Sequence, residues 1–431
     1  MIIGIGIAAF GAACANILGF QDLQRGDASD DGAANDVVPD TTEAGDACKQ
    51  RTVDDAHGVF VTVNGGDTST CGTRDEPCQT IQAGINQAKL LGRSTVYIAR
   101  GTYVESLQLA AGVTLEGGWD TASTTWIPAC DTTEVSAVKI TMPSTTNVVV
   151  TASFTGSAGL RLLSVLGKAN PGPSESLYGI FSTGATLTLD TISVSIGGAG
   201  DGDAGVLGGT GAEGGTDCDA GDAAAGSMAG NVGVGAPAGS FGPTGYVPAN
   251  GGAGAADGSP GTPGACSITS SCITTCYTCL AVCLNSLSGC GGAPGGGGAG
   301  GEGGGSTVAV YGWNSNIQVI GGTYSTGNGG AGGNGGAGGA GDVKNATCLD
   351  LCTDASCATV GNQSPQIGAT GGQGAHGGQG GGGAGGSTFA FFNGGDAGTV
   401  TLSGSPTITV GDAGAGGAVN GASGASATQA P

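Results

Sequence analysis

Cysteine is the residue here whose spacing most invites chemistry. The run "CSITSSCITTCYTCLAVCLNSLSGC" places Cys272, Cys276, Cys279 and Cys283 four, three and four residues apart, which is one face of a helix. Cys348, Cys352 and Cys357 follow a similar spacing in "CLDLCTDASC". Thiolates so close together could bind zinc or an iron–sulfur cluster, or pair as disulfides. Fifteen cysteines suit an oxidising compartment, so disulfides are expected and no metal or other cofactor. Cys218, Cys266 and Cys290 bring the glycine-rich part of the chain to ten cysteines, and Cys48, Cys71, Cys78 and Cys130 form an even set before it. The expected arrangement is a small disulfide-rich helical knob at the far end of that part.

Other catalytic constellations are missing from the pattern. "CITTCYTC" matches the Cys-x3-Cys-x2-Cys of radical-SAM enzymes, but those work in a reducing cytosol on a β/α barrel. His57 and His376 are isolated, with no Ser or Cys plus carboxylate beside them. Arg161 and Asp190 are nearly the only charges on the strand-like runs. No catalytic residue is assigned, and the chain is read as a non-enzyme. Trp119, Trp126, Tyr311 and Trp313 could form a sugar platform; the competing reading is that they cover the ends and edges of a stack. The net charge of −22, with 11 Lys plus Arg, excludes nucleic acid as a partner, because phosphate binding needs clustered basic charge.

These residues need elements to position them. Glycine supplies 95 of the 431 residues, while aromatics are 4% and charged residues 10%. A thin repetitive core suits that composition better than a conventional one. Thr80 can cap a helix that buries Ile81, Ile85 and Ala88 and ends at Gly92. Short runs rich in Val, Ile and Thr follow ("STVYIA", "SLQLAAGVTLEGG", "VKITMP", "NVVVTASF"), bounded by Gly, Asn or Asp. A repeat starts at Leu177, Ser306 and Ser387, each time with an apolar strand, a polar turn, more strand and a glycine run.

The motif "TIQ..I..A" from Thr80, followed by "VYIARGTYVE", resembles the entry of right-handed parallel β-helix proteins of the pectate-lyase-like superfamily. That resemblance implies a mainly β fold with an N-terminal capping helix. Gly101, Thr102, Tyr103 and Glu105 match the "GTY.E" of pectin methylesterases, but that family's later Asp, Gln and Arg elements are absent. So are the carboxylates and base of polysaccharide lyases.

The glycine runs keep a period of three, as at Gly329, Gly332, Gly335, Gly338 and Gly341, and again from Gly368 to Gly386. Three residues per turn is the polyproline II repeat, which has no internal hydrogen bonds. Its peptide groups need partners on neighbouring segments. Triplet glycines allow that approach, with the non-glycine third position facing outward. The pattern resembles the polyglycine II sandwiches of phage tail-tip adhesins and insect antifreeze proteins, and the composition of PGRS-type mycobacterial surface proteins.

The N-terminus "MIIGIGIAAFGAAC" resembles a bacterial lipoprotein signal, which implies lipidation at Cys14. The expected organisation is a signal at 1–22, an acidic stalk at 23–56, β-helix coils at 57–196, 306–326 and 387–410, glycine/cysteine-rich insertions at 197–305 and 327–386, and a glycine-rich tail at 411–431. The expected function is a structural or adhesive protein on the cell surface or outer membrane of a Gram-negative bacterium. Its partners would be the membrane, through the lipid anchor, and a cell-surface polysaccharide or protein. The alternatives are a carbohydrate-active enzyme on the same fold and an ice- or polysaccharide-binding module.

Overall fold

The computed structural model describes residues 48–121, 125–130, 134–211, 229–255, 293–341 and 373–430. The chain divides into units Met1–Glu43 and Ala44–Pro431, and every described residue belongs to the second. Cys14 and the ten cysteines from Cys218 to Cys357 lie outside the described residues, as does most of the stalk.

The fold is mainly β. Its strands, in chain order, are β1 (Gly58–Val61), β2 (Thr95–Ala99), β3 (Gly101–Val104), β4 (Leu107–Gln108), β5 (Thr114–Asp120), β6 (Ile127–Pro128), β7 (Val138–Thr141), β8 (Val148–Arg161), β9 (Ser164–Leu166), β10 (Leu177–Asp190), β11 (Ser193–Ile196), β12 (Ser240–Gly242), β13 (Gly245–Val247), β14 (Thr307–Trp313), β15 (Asn316–Ile320), β16 (Thr323–Thr326), β17 (Thr388–Gly394), β18 (Thr399–Ser403), β19 (Thr407–Thr409) and β20 (Ser426–Ala430). The larger sheet runs β1-β2-β5-β8-β10-β14-β17-β20 and the smaller β19-β16-β11-β9-β7-β3. The pairings along both paths are parallel. The repeats noticed in the sequence are neighbours in this order: Leu177 pairs with Thr307, and Thr307 with Thr388.

From β7 onward the chain passes repeatedly between the two sheets, with β12 and β13 forming a separate two-stranded sheet, and the side chains facing inward form one core. Ile140, Val165, Val194 and Tyr324 line it from the smaller sheet, and Leu187, Val310, Val319 and Phe391 from the larger. The passage between sheets needs a sharp bend. Leu162, Thr191 and Gly321 provide it with φ of 53°, 50° and 70°, a left-handed conformation that redirects the chain within one residue.

Helix α1 (Ile81–Leu91) begins at Thr80, whose side chain accepts the Ala83 amide, and ends at left-handed Gly92. Its apolar spacing buries Ile81, Gly84, Ile85 and Ala88. Gly84 lies so close to Val61 that an added Cβ would fall 2.4 Å from that side chain. A short helix, α2 (Glu134–Ala137), precedes β7.

Two features go beyond the domain bounds expected from the sequence. Residues 48–56, the end of the expected stalk, are fastened to the body through Cys48 and Arg51. The glycine-rich tail ends in a strand: β20 pairs in parallel with β17.

Candidate functional site

The described glycine segments form one hydrogen-bonded network. In segment 373–386, the amides of Gly377, Gly380, Gly383 and Gly386 donate to the Gly339, Gly336, Gly333 and Gly330 carbonyls. Those of Gly378, Gly381 and Ala384 donate to Ala255, Gly252 and Ala249, and those of Gly382 and Gly385 to Val419 and Ala422. In return its carbonyls accept from Gly298, Gly301 and Gly304, from Gly230, Gly233 and Ala236, and from Gly414 and Gly417. These N···O distances are 2.7–3.0 Å. Segment 373–386 therefore has six bonded neighbours, at 230–236, 249–255, 298–304, 330–339, 414–417 and 419–422. Side chains have no room between them. A Cβ on Gly335 would sit 1.8 Å from the Gly380 carbonyl oxygen, and one on Gly386 would sit 1.7 Å from that of Gly305.

A hairpin from the first insertion lies against the sheet. β12 and β13 pair antiparallel across Pro243-Thr244, a two-residue loop. Phe241 stacks on Phe392, with ring centres 4.3 Å apart, and Phe392 and Phe181 both stack on Tyr311. Tyr311 Oη donates to the Gly242 carbonyl, and Tyr178 Oη accepts the Tyr246 amide at 2.7 Å. The hairpin was missed in the sequence, although "SFGPTGYV" carries its signal: two aromatics either side of a Pro-Thr-Gly turn.

The four aromatics considered as a sugar platform do not share a surface. Trp119 and Trp126 belong to one cluster with Phe60 and Tyr97, and Tyr311 and Trp313 to the other. Trp119 and Tyr311 are fully buried, because apolar ring area is best covered on both faces. Trp119 and Tyr311 lie on β5 and β14, strands paired on both sides within the larger sheet, so they do not cover its edges either.

The "GTY.E" residues are positioned for folding. Glu105 accepts the Ile81 and Gln82 amides at 2.9 and 3.0 Å, at the N-terminus of α1. Burial pushes its carboxyl above the usual range, against the pull of these two bonds. Tyr103 Oη donates to the Ala99 carbonyl at 2.9 Å, and burial pushes its phenol up. An added Cβ on Gly101 would press on Val63. Thr102 is exposed.

Charges on the strands are more numerous than Arg161 and Asp190 alone, which is a correction to the sequence reading. Glu116, Arg161 and Asp190 occupy one register row across β5, β8 and β10. Arg161 Nε lies 3.1 Å from Asp190 Oδ2 and its Nη1 3.7 Å from Glu116 Oε2. Arg51 joins the same row, 2.9 Å from Glu116, paired with Glu134 and 4.6 Å above the Trp119 ring. The parallel register brings Glu116 and Arg161 together across 45 residues of sequence, a juxtaposition that no local spacing reveals.

The described cysteines pair as Cys48–Cys130 and Cys71–Cys78. Asp67 lies with the Cys71 and Cys78 sulfurs inside 4.8 Å, a spacing that could suit a metal. However, the sulfurs are bonded to each other, and Asp67 accepts from the Gln79 and Thr80 amides and the Thr80 hydroxyl. Partial burial raises its carboxyl, and those bonds outweigh it to leave it below the usual range. His57 Nδ1 lies 2.7 Å from Asp54 Oδ2 in an exposed pair, and His376 is exposed on its segment.

A groove of about 630 Å³ runs along the bend between the sheets, lined among others by Glu134, Ser164, Thr191, Ser193, Thr323 and Thr407. Ser164, Ser193, Thr323 and Thr407 are register partners on successive strands β9, β11, β16 and β19. Comparison of the chain with known protein families, with curated proteins and with solved structures finds no match.

Proposed function

We propose that this protein is a non-enzymatic structural or adhesive scaffold of a Gram-negative cell surface, in which a parallel β-helix carries a polyglycine II-type sheaf. In this reading α1 caps one end of the β-helix, and a lipid on Cys14 holds the chain to the outer membrane. The observation that carries the reading is the period-three hydrogen bonding of segment 373–386 to six neighbours. A linker has no fixed neighbours; a segment bonded at regular intervals to six neighbours is held in place along its length. Three separate excursions of the chain contribute to it, and the β12–β13 hairpin ties it to the sheet. Rigid display of a surface is what such a construction does well.

The charge row supports the non-enzymatic side of the reading. Arg51, Glu116, Arg161 and Asp190 are engaged with one another, whereas a general base needs a free group within reach of substrate.

The test is fractionation of cells expressing the full chain and its Cys14→Ser variant, with protease added to intact cells. The scaffold reading expects wild-type protein in the outer membrane and accessible from outside, and the variant released. Identical fractionation of the two, or turnover of polygalacturonate that disappears in Asp190→Asn, defeats it.

A further inference from the structure

We propose that the groove along the bend binds one chain of a neutral polysaccharide, laid along the stacking direction of the strands. This deepens the adhesive reading by naming its partner class.

The row Ser164, Ser193, Thr323 and Thr407 offers one hydroxyl per strand. Adjacent strands lie about 4.8 Å apart, so the hydroxyls repeat at that interval. Ser164 donates to the Val135 carbonyl at 2.9 Å. The side chains of Ser193, Thr323 and Thr407 have no hydrogen-bond partner among the described residues. Ser195, Ser325 and Thr409 form a second register row two residues further along the same strands, about 6.6 Å away. Ser164 and Ser325 give their hydrogens to the Val135 and Val194 carbonyls, so the free rungs are Ser193, Thr323 and Thr407 in the first row and Ser195 and Thr409 in the second, each able to donate one hydrogen bond and accept two.

A regular, extended array fits a regular, extended ligand better than a compact one. Hydroxyl ladders complement polyols, which present the same mixed donors and acceptors. Lys139 continues the row beside Ser164, but Glu134 at the groove and the net charge of −22 outweigh that single cation and disfavour polyanions. The apolar core lies behind the sheet, so the hydroxyl rows stand on a stiff backing that needs no ordering when a chain binds.

The experiment is affinity electrophoresis of the disulfide-intact full chain in gels containing hydroxyethyl cellulose, galactomannan or laminarin, with polygalacturonate as the anionic comparison. Retardation by at least one neutral polymer is expected, with little by polygalacturonate. The variant Ser193→Ala/Thr323→Ala/Thr407→Ala should bind at least tenfold more weakly at an unchanged melting temperature. Thr401→Ala, exposed on β18 of the larger sheet and outside the groove, should bind as wild type. If the triple variant is destabilised, Thr323→Ala alone supplies the readout, with a several-fold loss expected. No retardation by any neutral polymer, preference for polygalacturonate, or unchanged binding by the groove variants overturns the proposal. None of these results bears on membrane attachment, so the scaffold reading fails or stands separately.

Discussion

Replacing Gly335 with Val tests whether the glycine network is a packed body. The new Cβ would stand 1.8 Å from the Gly380 carbonyl oxygen, where ordinary contact begins at 3.4 Å. The two segments must therefore separate by about 1.6 Å, far beyond the tolerance of a hydrogen bond. The bonds nearest the clash are Gly380 N to Gly336 O and Gly336 N to Ala299 O, each 2.8 Å long. Leaving a buried peptide group unsatisfied costs about 1–3 kcal/mol, so two lost bonds destabilise the network by about 2–6 kcal/mol. Amide hydrogen exchange reads this directly. Protection across 329–341 and 375–386 should fall by roughly 30-fold or more, because exchange follows local opening free energy. Ala337→Val is the matched control: Ala337 is exposed, and a surface substitution typically stays within about 0.5 kcal/mol. Asn334, also an outward position, is a poorer control than the sequence suggests, since its Oδ1 accepts the Ala418 amide at 2.7 Å. Equal effects of Gly335→Val and Ala337→Val, or rapid exchange of these amides in the unmodified protein, would refute the reasoning.

Ile85→Asp should place an unpaired charge among the residues α1 buries, where Ile85 is 1% exposed, and lower stability by several kcal/mol in denaturant titration (roughly 3 or more). Reduction of the two disulfides should have unequal effects. Cys48–Cys130 closes a separation of 82 residues and Cys71–Cys78 one of 7, so Cys48→Ser should cost about 4.5 kcal/mol and Cys71→Ser about 2.5 by loop entropy. Asp67 has a carboxyl lowered in the fold, so its contribution is complete above its unfolded value and lost as pH falls through its folded one. Melting temperature should therefore drop below about pH 4 more steeply in wild type than in Asp67→Asn.

Much of the parallel-sheet part was legible because its signals are local. Thr80, the spacing of Ile81, Ile85 and Ala88, and Gly92 define α1 without any tertiary information. Val194 and Ile196 alternating with Ser193 and Ser195 likewise define β11, and Tyr324 between Thr323 and Ser325 defines β16. The groove was not legible, because its hydroxyls come from segments that only the parallel register aligns: Ser193 meets Ser164 on one side and Thr323, 130 residues on, on the other. The charge row was missed for the same reason. β20 was missed because "SATQA" carries little strand propensity and owes its state to pairing with β17.

The glycine segments hold one signal that the period of three concealed. The outgoing segments carry side chains at every third position: Asp201, Ala204, Leu207 and Thr210 in the first, Asn328, Ala331, Asn334, Ala337 and Ala340 in the second. Nearly all are exposed. The returning segments lose those side chains where neighbours cover them. Gly297 and Gly300 face the Gly254 and Gly251 carbonyls, so closely that a Cβ would overlap them. In 373–386 the same phase reads Gln373, His376 and Gln379, all exposed, and then Gly382 and Gly385, both buried against the tail. The change from side chain to glycine falls where the tail begins to cover the segment. A run of four consecutive glycines, as at Gly295–Gly298 and Gly380–Gly383, therefore marks a segment whose third side is also occupied, while a strict two-in-three pattern marks one with a free face. On this reasoning the glycine count per triplet measures how many neighbours a segment has, and composition alone separates the inside of the network from its surface.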